Sequence, residues 1–153
     1  MTQTTELLRS MRCMLKLYEA YALPVCRANG LSQTEADVLA FLDNNPGLDT
    51  ASDIVELRMI PKANVSQAVD ALMHKALLTR QQDAKDRRRI HLTLTDAAQS
   101  ITAQLRQART AYFERLFSGF SPEQAETLRA LNARILQNAQ AALSERSSYA
   151  GKQ

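Results

Sequence analysis

The 153-residue chain contains no tryptophan, and only 5% of its residues are aromatic. A core without large rings must come from aliphatic side chains, and the 45% share of hydrophobic residues points to a mainly helical core of leucine and alanine. Four glycines and four prolines are too few for the many turns of an all-β chain. Two cysteines, Cys13 and Cys26, make no disulfide scaffold. Both fall in one expected helix, thirteen residues apart, too far to bridge each other. No apolar run reaches the length of a membrane span, and the first residues lack a secretory apolar core, so a soluble cytoplasmic protein is expected. The only histidines, His74 and His91, stand far from both cysteines and define no metal-ligand spacing. Ser66 has no evident base, and the scattered acids form no catalytic pattern distinguishable from surface. Neither enzymatic activity nor a metal or cofactor is expected.

What the chain does have is helical periodicity. Over residues 6–27, Leu7, Leu8, Met11, Met14, Leu15, Tyr18 and Ala22 recur at three- and four-residue steps, with Pro24 expected to kink or end the helix. Ser32 and Glu35 read as a capping box ahead of a stripe of Val38, Leu39 and Leu42, stopped at residues 44–47. Thr50 and Asp53 suggest a second box, with Ile54 and Leu57 facing inward and an end near Met59 before Pro61. The next helix, about 61–75, welcomes Pro61 in its first turn. Val65, Ala68, Val69, Leu72 and Ala76 form its inner face, and Ala63, Ser66, Gln67, Asp70 and His74 the opposite one. Short polar side chains on that outer face permit close approach to another surface. Residues 77–81 and 89–95 read as two strands, with Ile90, Leu92 and Leu94 on one face and His91 and Thr93 on the other. Thr95 is the expected cap of a helix over 96–117, broken at Gly119. Ser121, Pro122 and Gln124 then start the last one. Residues 146–153 read as a flexible tail.

The net charge of +3 is unevenly distributed. Between Met59 and Thr95, seven Lys/Arg face three Asp, a net +4; elsewhere twelve Lys/Arg face thirteen acids, a net −1. All of the excess therefore lies in this one window, where a polyanion would read it, and the connection between the two strands is its basic segment. The order is therefore helix, turn, helix and basic hairpin, flanked by long apolar-striped helices. A small central module offers too little surface to cover them all, which favours pairing with a second copy.

This layout resembles a MarR-type winged helix-turn-helix regulator over nearly the whole chain. The stretch DAKDRRRIHLTLT is similar to the family's wing, commonly Asp-x-Arg-Asp-Arg-Arg closing in Leu-Thr, and Asp83, Asp86, Arg87, Arg88, Leu94 and Thr95 match it. In IPKANVSQAVDALMHKALL, Lys62, Val65, Ser66, Val69, Asp70, Leu72, Lys75 and Leu77 fit the family's recognition helix and strand entry. The chain departs from the family at Lys85 and Gln67, where Arg is usual, and at Met59 and Ala98, where Gly is frequent. Lys still neutralises phosphate, and Gln pairs with adenine.

The resemblance implies a mainly α fold with a small β-hairpin wing. Residues 31–95 would form a winged helix-turn-helix DNA-binding module, and 1–30 and 96–145 dimerisation helices. It implies a homodimeric repressor on a pseudo-palindromic double-stranded operator. Pro61, Lys62, Asn64, Ser66 and Gln67 on the recognition helix, with Lys85, Arg87, Arg88 and Arg89 on the wing, are the expected DNA-binding residues. Asn64 and Gln67 are the candidate base readers, and Lys62 and Ser66 the backbone anchors. Asp83 and Asp86 are expected to support the wing by holding an arginine. For Asp86 the resemblance leaves Arg87 and Arg88 both open. His74 and His91 can both lie near phosphate. Similar proteins often take small aromatic acids or phenols between module and flanking helices, where Arg12, Lys16, Tyr18 and Tyr21 could line the space.

Two other readings remain open on the residues. One is a cysteine-based redox-responsive regulator of the same fold. Some similar proteins use a first-helix cysteine activated by tyrosines of the second helix, but LSQTEADVLAFL contains none. Cys26, near a helix end beside Arg27, would have a modestly favoured thiolate. The other is a winged-helix protein-interaction module without specific DNA binding.

Overall fold

Side-chain caps mark most of the helix starts. The computed structural model describes residues 1–150, with side chains to residue 148. Thr2, Ser32 and Thr50 cap α1 (Gln3–Asn29), α2 (Gln33–Asn44) and α3 (Ala51–Arg58) through their hydroxyls. After α4 (Lys62–His74), strands β1 (Leu78–Gln82) and β2 (Ile90–Leu94) form an antiparallel hairpin, with Leu78 opposite Leu94 and Gln82 opposite Ile90. A 3₁₀ turn (Asp96–Ala98) leads into α5 (Gln99–Leu116), and α6 (Pro122–Ala150) ends the described chain. The architecture is mainly helical with one small β-hairpin, as expected.

The chain divides into two compact units, Met1–Phe113 and Glu114–Gln153. The first holds the core. Val38, Leu39, Ile54, Val65 and Leu72 are fully enclosed, joined by Leu77, Leu78 and Leu92 of the hairpin region and Ile101 and Leu105 of α5. Ala22, Val25 and Cys26 bring the end of α1 into the same cluster. In the second unit, Ser121 and Gln124 exchange hydrogen bonds at the start of α6, the capping box read from the sequence. Among the described residues no helix is long and apolar enough to cross a membrane.

Several expectations need correction. Pro24 does not end α1, which runs five residues beyond it to Gly30, a left-handed cap with φ 62°. Proline removes one amide donor from a helix but does not forbid its continuation when the far turn is buried, and Val25 and Cys26 are. Only half of the box at Ser32 forms: its hydroxyl accepts the Glu35 amide, while the Glu35 carboxylate turns to Lys75 at 2.5 Å. Leu57 is exposed rather than inward, because α3 spans only two turns and Ile54 alone of the pair reaches the core. Ala76 lies beyond α4, exposed and left-handed at φ 57°, where the chain turns into β1. The Thr95 hydroxyl caps no helix; it donates to the Ala76 carbonyl at 2.7 Å. Residues 146–150 continue α6, with Ser147 and Ser148 hydroxyls bonded to carbonyls one turn back. The remainder of the expected tail, 151–153, lies outside the described residues.

Candidate nucleic-acid interface

The outer face of α4 is set by its inner one. Burial of Val65, Ala68, Val69 and Leu72 turns Lys62, Ala63, Asn64, Ser66, Gln67, Asp70 and His74 outward, all exposed. Pro61 precedes the helix, also exposed, with no side-chain cap on the amides that follow. An uncapped amino end with the partial positive charge of the peptide dipoles is a ready site for a phosphate or base-edge acceptor.

The hairpin turn is organised by two aspartates. One Asp83 carboxylate oxygen accepts the Lys85 and Asp86 amides at 2.7 and 2.8 Å. Asp86 accepts the Arg88 amide at 3.0 Å, and the Gln82 side chain donates to the Arg87 carbonyl at 2.7 Å. These bonds hold Lys85, Arg87, Arg88 and Arg89 exposed around one turn. Arg88 and Arg89 border an open groove against the start of α3, which Asp53 and Asp86 also line; Lys85 and Arg87 do not.

The expected arginine partner of the wing aspartates is not what the structure contains. Among the described residues neither Asp83 nor Asp86 forms an ion pair with an arginine. Asp83 instead meets His91: its second oxygen lies 2.9 Å from Nε2, while Nδ1 lies 2.7 Å from Asp49. The bond to His91, followed by the amides of Asp86 and Lys85, holds the Asp83 carboxyl far below the usual carboxylate range. The same contacts, Asp83 first and then Asp49, raise the His91 pKa above its ordinary value. Sequence reasoning had no access to this pair of contacts, since Asp49 is 42 residues from His91.

Two cations of the basic window are committed elsewhere. Lys75 binds Glu35 and the Gly30 carbonyl, tying the end of α4 to α2. Arg80 on β1 binds Asp70 of α4 at 2.8 Å and contacts the Met73 sulfur. Lys62, Lys85, Arg87, Arg88 and Arg89 form no ion pair among the described residues and carry the charge free to meet a polyanion.

The residues proposed for a ligand separate into two pairs. Tyr18 and Tyr21 line a cavity of about 20 Å³ between α1, α2 and α5, with Asp43, Thr102, Arg106 and Arg109. That is room for about one water. Arg12 and Lys16 are exposed and do not line it. Both tyrosine rings meet Tyr112 edge-on, at centroid distances of 5.6 and 6.4 Å. Arg58 of α3 lies 5.5 Å over the Tyr18 ring and binds Asp37 of α2 at 2.8 Å. Burial pushes the Tyr18 hydroxyl pKa up, and burial likewise raises that of Asp37 against the pull of Arg58. Cys26 is buried and its thiol is pushed up by that burial and by Asp37, the reverse of the favoured thiolate expected beside Arg27. Cys13 is exposed.

Known proteins share this fold. The model of the MarR family matches residues 29–89, from the end of α1 through the wing turn. An uncharacterized HTH-type transcriptional regulator of Bacillus subtilis, YkoM, is 28% identical over 102 residues, spanning 67% of this chain. The match covers 66% of that protein, just under two thirds of its length. A MarR-family transcriptional regulator from Silicibacter pomeroyi is 25% identical, with a TM-score of 0.73 over 84% of this chain and 86% of that one. BpsR of Bordetella bronchiseptica, whose DNA binding is regulated by 6-hydroxynicotinic acid, shares the fold at 22% identity and a TM-score of 0.67, over 88% of this chain and 98% of that one. Residues 29–89, from the end of α1 through the basic turn, are thus similar to the MarR family, and the chain shares the fold of these solved regulators.

Proposed function

We propose that the protein is a homodimeric repressor that reads a pseudo-palindromic double-stranded operator. One observation carries the reading: α4 leaves its uncapped amino end and short polar face exposed, the hairpin holds a preformed cationic turn exposed, and Arg80 ties the hairpin to α4 through Asp70. Residues 31–95 act as the DNA-binding module. Pro61, Lys62, Asn64, Ser66 and Gln67 enter the major groove, while Lys85, Arg87, Arg88 and Arg89 grip the flanking backbone. Residues 1–30 and 96–145 act as dimerisation helices. Supporting this are the apolar side chains that α1 and α6 each leave exposed, including Leu7, Leu8 and Leu15 on the first and Leu131, Ile135 and Leu136 on the second. A dimer would present its two modules one helical turn of DNA apart, or a multiple of it. The protein would act where that DNA is, in the cytoplasm.

An effector is proposed as a small aromatic acid or phenol between module and flanking helices. BpsR supplies the chemical precedent, and Tyr18, Tyr21, Arg106 and Arg109 supply rings and cations around the cavity. At about 20 Å³ the cavity must widen to admit such a ligand.

The test is selection of bound duplexes from the source genome, followed by affinity measurements over a salt series. Binding should weaken steeply with salt and be much tighter for the selected operator than for random DNA. Lys85→Ala and Arg88→Ala should weaken both duplexes alike. Gln67→Ala should cost ~1–3 kcal/mol on the operator and little on random DNA. Equal loss on both would remove Gln67 as a base reader, and absence of duplex binding at low salt would overturn the whole reading.

A further inference from the structure

His91 stands on β2, opposite Gln81, with its side chain 29% exposed. Its two ring nitrogens meet two carboxylates from different parts of the fold. Asp49 lies in the connection before α3, where its carbonyl also accepts the Leu92 amide at 2.8 Å. Asp83 opens the wing turn and, through its other oxygen, holds the Lys85 and Asp86 amides. A neutral imidazole carries one N–H, and an ionised carboxylate only accepts. Hydrogen bonds from both nitrogens therefore require the imidazolium, or a proton on one of the carboxylates. Asp83 is held far below the usual carboxylate range, which leaves the ring as the proton's place on that side.

We propose that His91 is a positioning residue for the wing: as an imidazolium it ties the turn carrying Lys85 and Arg87 to the helix-turn-helix through Asp49, and duplex binding is coupled to that proton. The proposal rests on the wing contacting DNA as described above. Other groups facing this region are Asp53 of α3, engaged with Thr50, and Arg89 at the entrance to β2; Gln81 across the ladder is uncharged. Aspartates stay ionised and arginine stays protonated around neutrality, so His91 is the group of this set that titrates there.

The sign follows from the raised His91 pKa. The brace is complete below the ordinary histidine value and is lost as pH rises through the higher folded value. Above it the neutral ring keeps a proper hydrogen bond to only one of the two carboxylates. If Asp83 is the one released, the wing turn loses its tie to the module, and the interface also loses one positive charge.

The experiment uses the full chain and a mixed-sequence duplex, from about pH 6 to about pH 9, the range in which histidine responds. Nuclear magnetic resonance follows the His91 ring and the Lys85 and Asp86 amides; fluorescence anisotropy follows duplex affinity. The His91 midpoint should lie above the ordinary value, and both amides should shift with that midpoint. Affinity should fall with rising pH by at most about tenfold per unit, the limit for one coupled proton. His91→Gln should flatten that dependence and bind as the wild type does at high pH. Asp49→Asn, which keeps the ring, should lower the His91 midpoint and move the amide transition with it. His74→Gln should leave the amide transition where it is. An ordinary or lowered His91 midpoint, wing amides that ignore it, or one pH profile shared by wild type and His91→Gln would each overturn the proposal. A protein that binds no duplex at any pH would overturn the DNA-binding reading and the coupling with it. The amide titration would then still decide whether His91 braces the wing.

Discussion

Met59 and Ala76 hold backbone conformations that side chains oppose. Both are left-handed, at φ 52° and 57°, where Cβ crowds the neighbouring carbonyl. Each follows a helix where the chain turns, Met59 between α3 and α4 and Ala76 between α4 and β1. Both side chains are exposed, so replacement sacrifices little packing. Met59→Gly and Ala76→Gly should each relieve ~1–2 kcal/mol of strain. Set against this is an unfolded-state entropy penalty of ~0.4–1 kcal/mol for the new glycine. The net result should be a urea midpoint raised in each variant, with an unchanged slope. A lowered midpoint at both sites would mean that these residues make contacts the strain argument neglects. Met59 at a position often held by glycine was legible in the sequence. The turn at Ala76 was not, because the apolar period of the preceding helix runs through it without interruption.

At the scale of the element, local signals fared best. The box at Thr50 and Asp53 forms in full: the Thr50 hydroxyl accepts the Asp53 amide at 3.2 Å and donates to its carboxylate at 2.7 Å, which also accepts the Thr50 amide at 2.9 Å. Thr50→Ala should cost ~1 kcal/mol of stability, readable by urea unfolding. The Thr50 hydroxyl is also the main cause of the lowered Asp53 pKa. A carboxyl lowered in the folded state stabilises above its unfolded value and loses that contribution as pH falls through its folded one. Wild type should therefore lose its advantage over Thr50→Ala on acidification below about pH 4, the ordinary aspartate range. A stability difference that stays constant down to about pH 2, well below the ordinary aspartate range, would remove Asp53 from the account. The box at Ser32 shows where local reading stops. Glu35 had the right spacing to complete it, but Lys75, 40 residues away, offers a charged partner in a half-buried setting. Lys75 brings an opposite full charge to the Glu35 carboxylate, where the backbone amide would bring only a neutral donor.

At the scale of the whole molecule, the question is what covers the end helices. On α1, Leu7, Leu8, Met11, Met14 and Leu15 are all exposed, and on α6 so are Leu128, Leu131, Ile135, Leu136 and Leu143. Exposed apolar side chains in such numbers on single helices are the mark of an interaction surface. For the proposed homodimer, sedimentation of the wild type should give the mass of two chains. Leu8→Glu and Leu131→Glu should each shift it toward one chain and weaken operator binding, because a lone module buries little DNA surface. A wild type of single-chain mass at every concentration would overturn the dimer.

The helix order, the hairpin and the exposure of the outer face of α4 were legible in the sequence. These follow from apolar periodicity, side-chain caps and turn residues, which act within a few positions of one another. The sequence also located the basic turn, since four of its cations fall within residues 85–89. Tertiary structure alone decided which charges are spent on the fold. Lys75 and Arg80 match the window's charge as well as Lys85 does, yet one is bound to Glu35 and the other to Asp70. It decided as well that Asp83 is held by a histidine rather than an arginine. Such pairings depend on where distant segments meet, and electrostatic attraction at hydrogen-bonding distance has no signature in the spacing of residues along the chain.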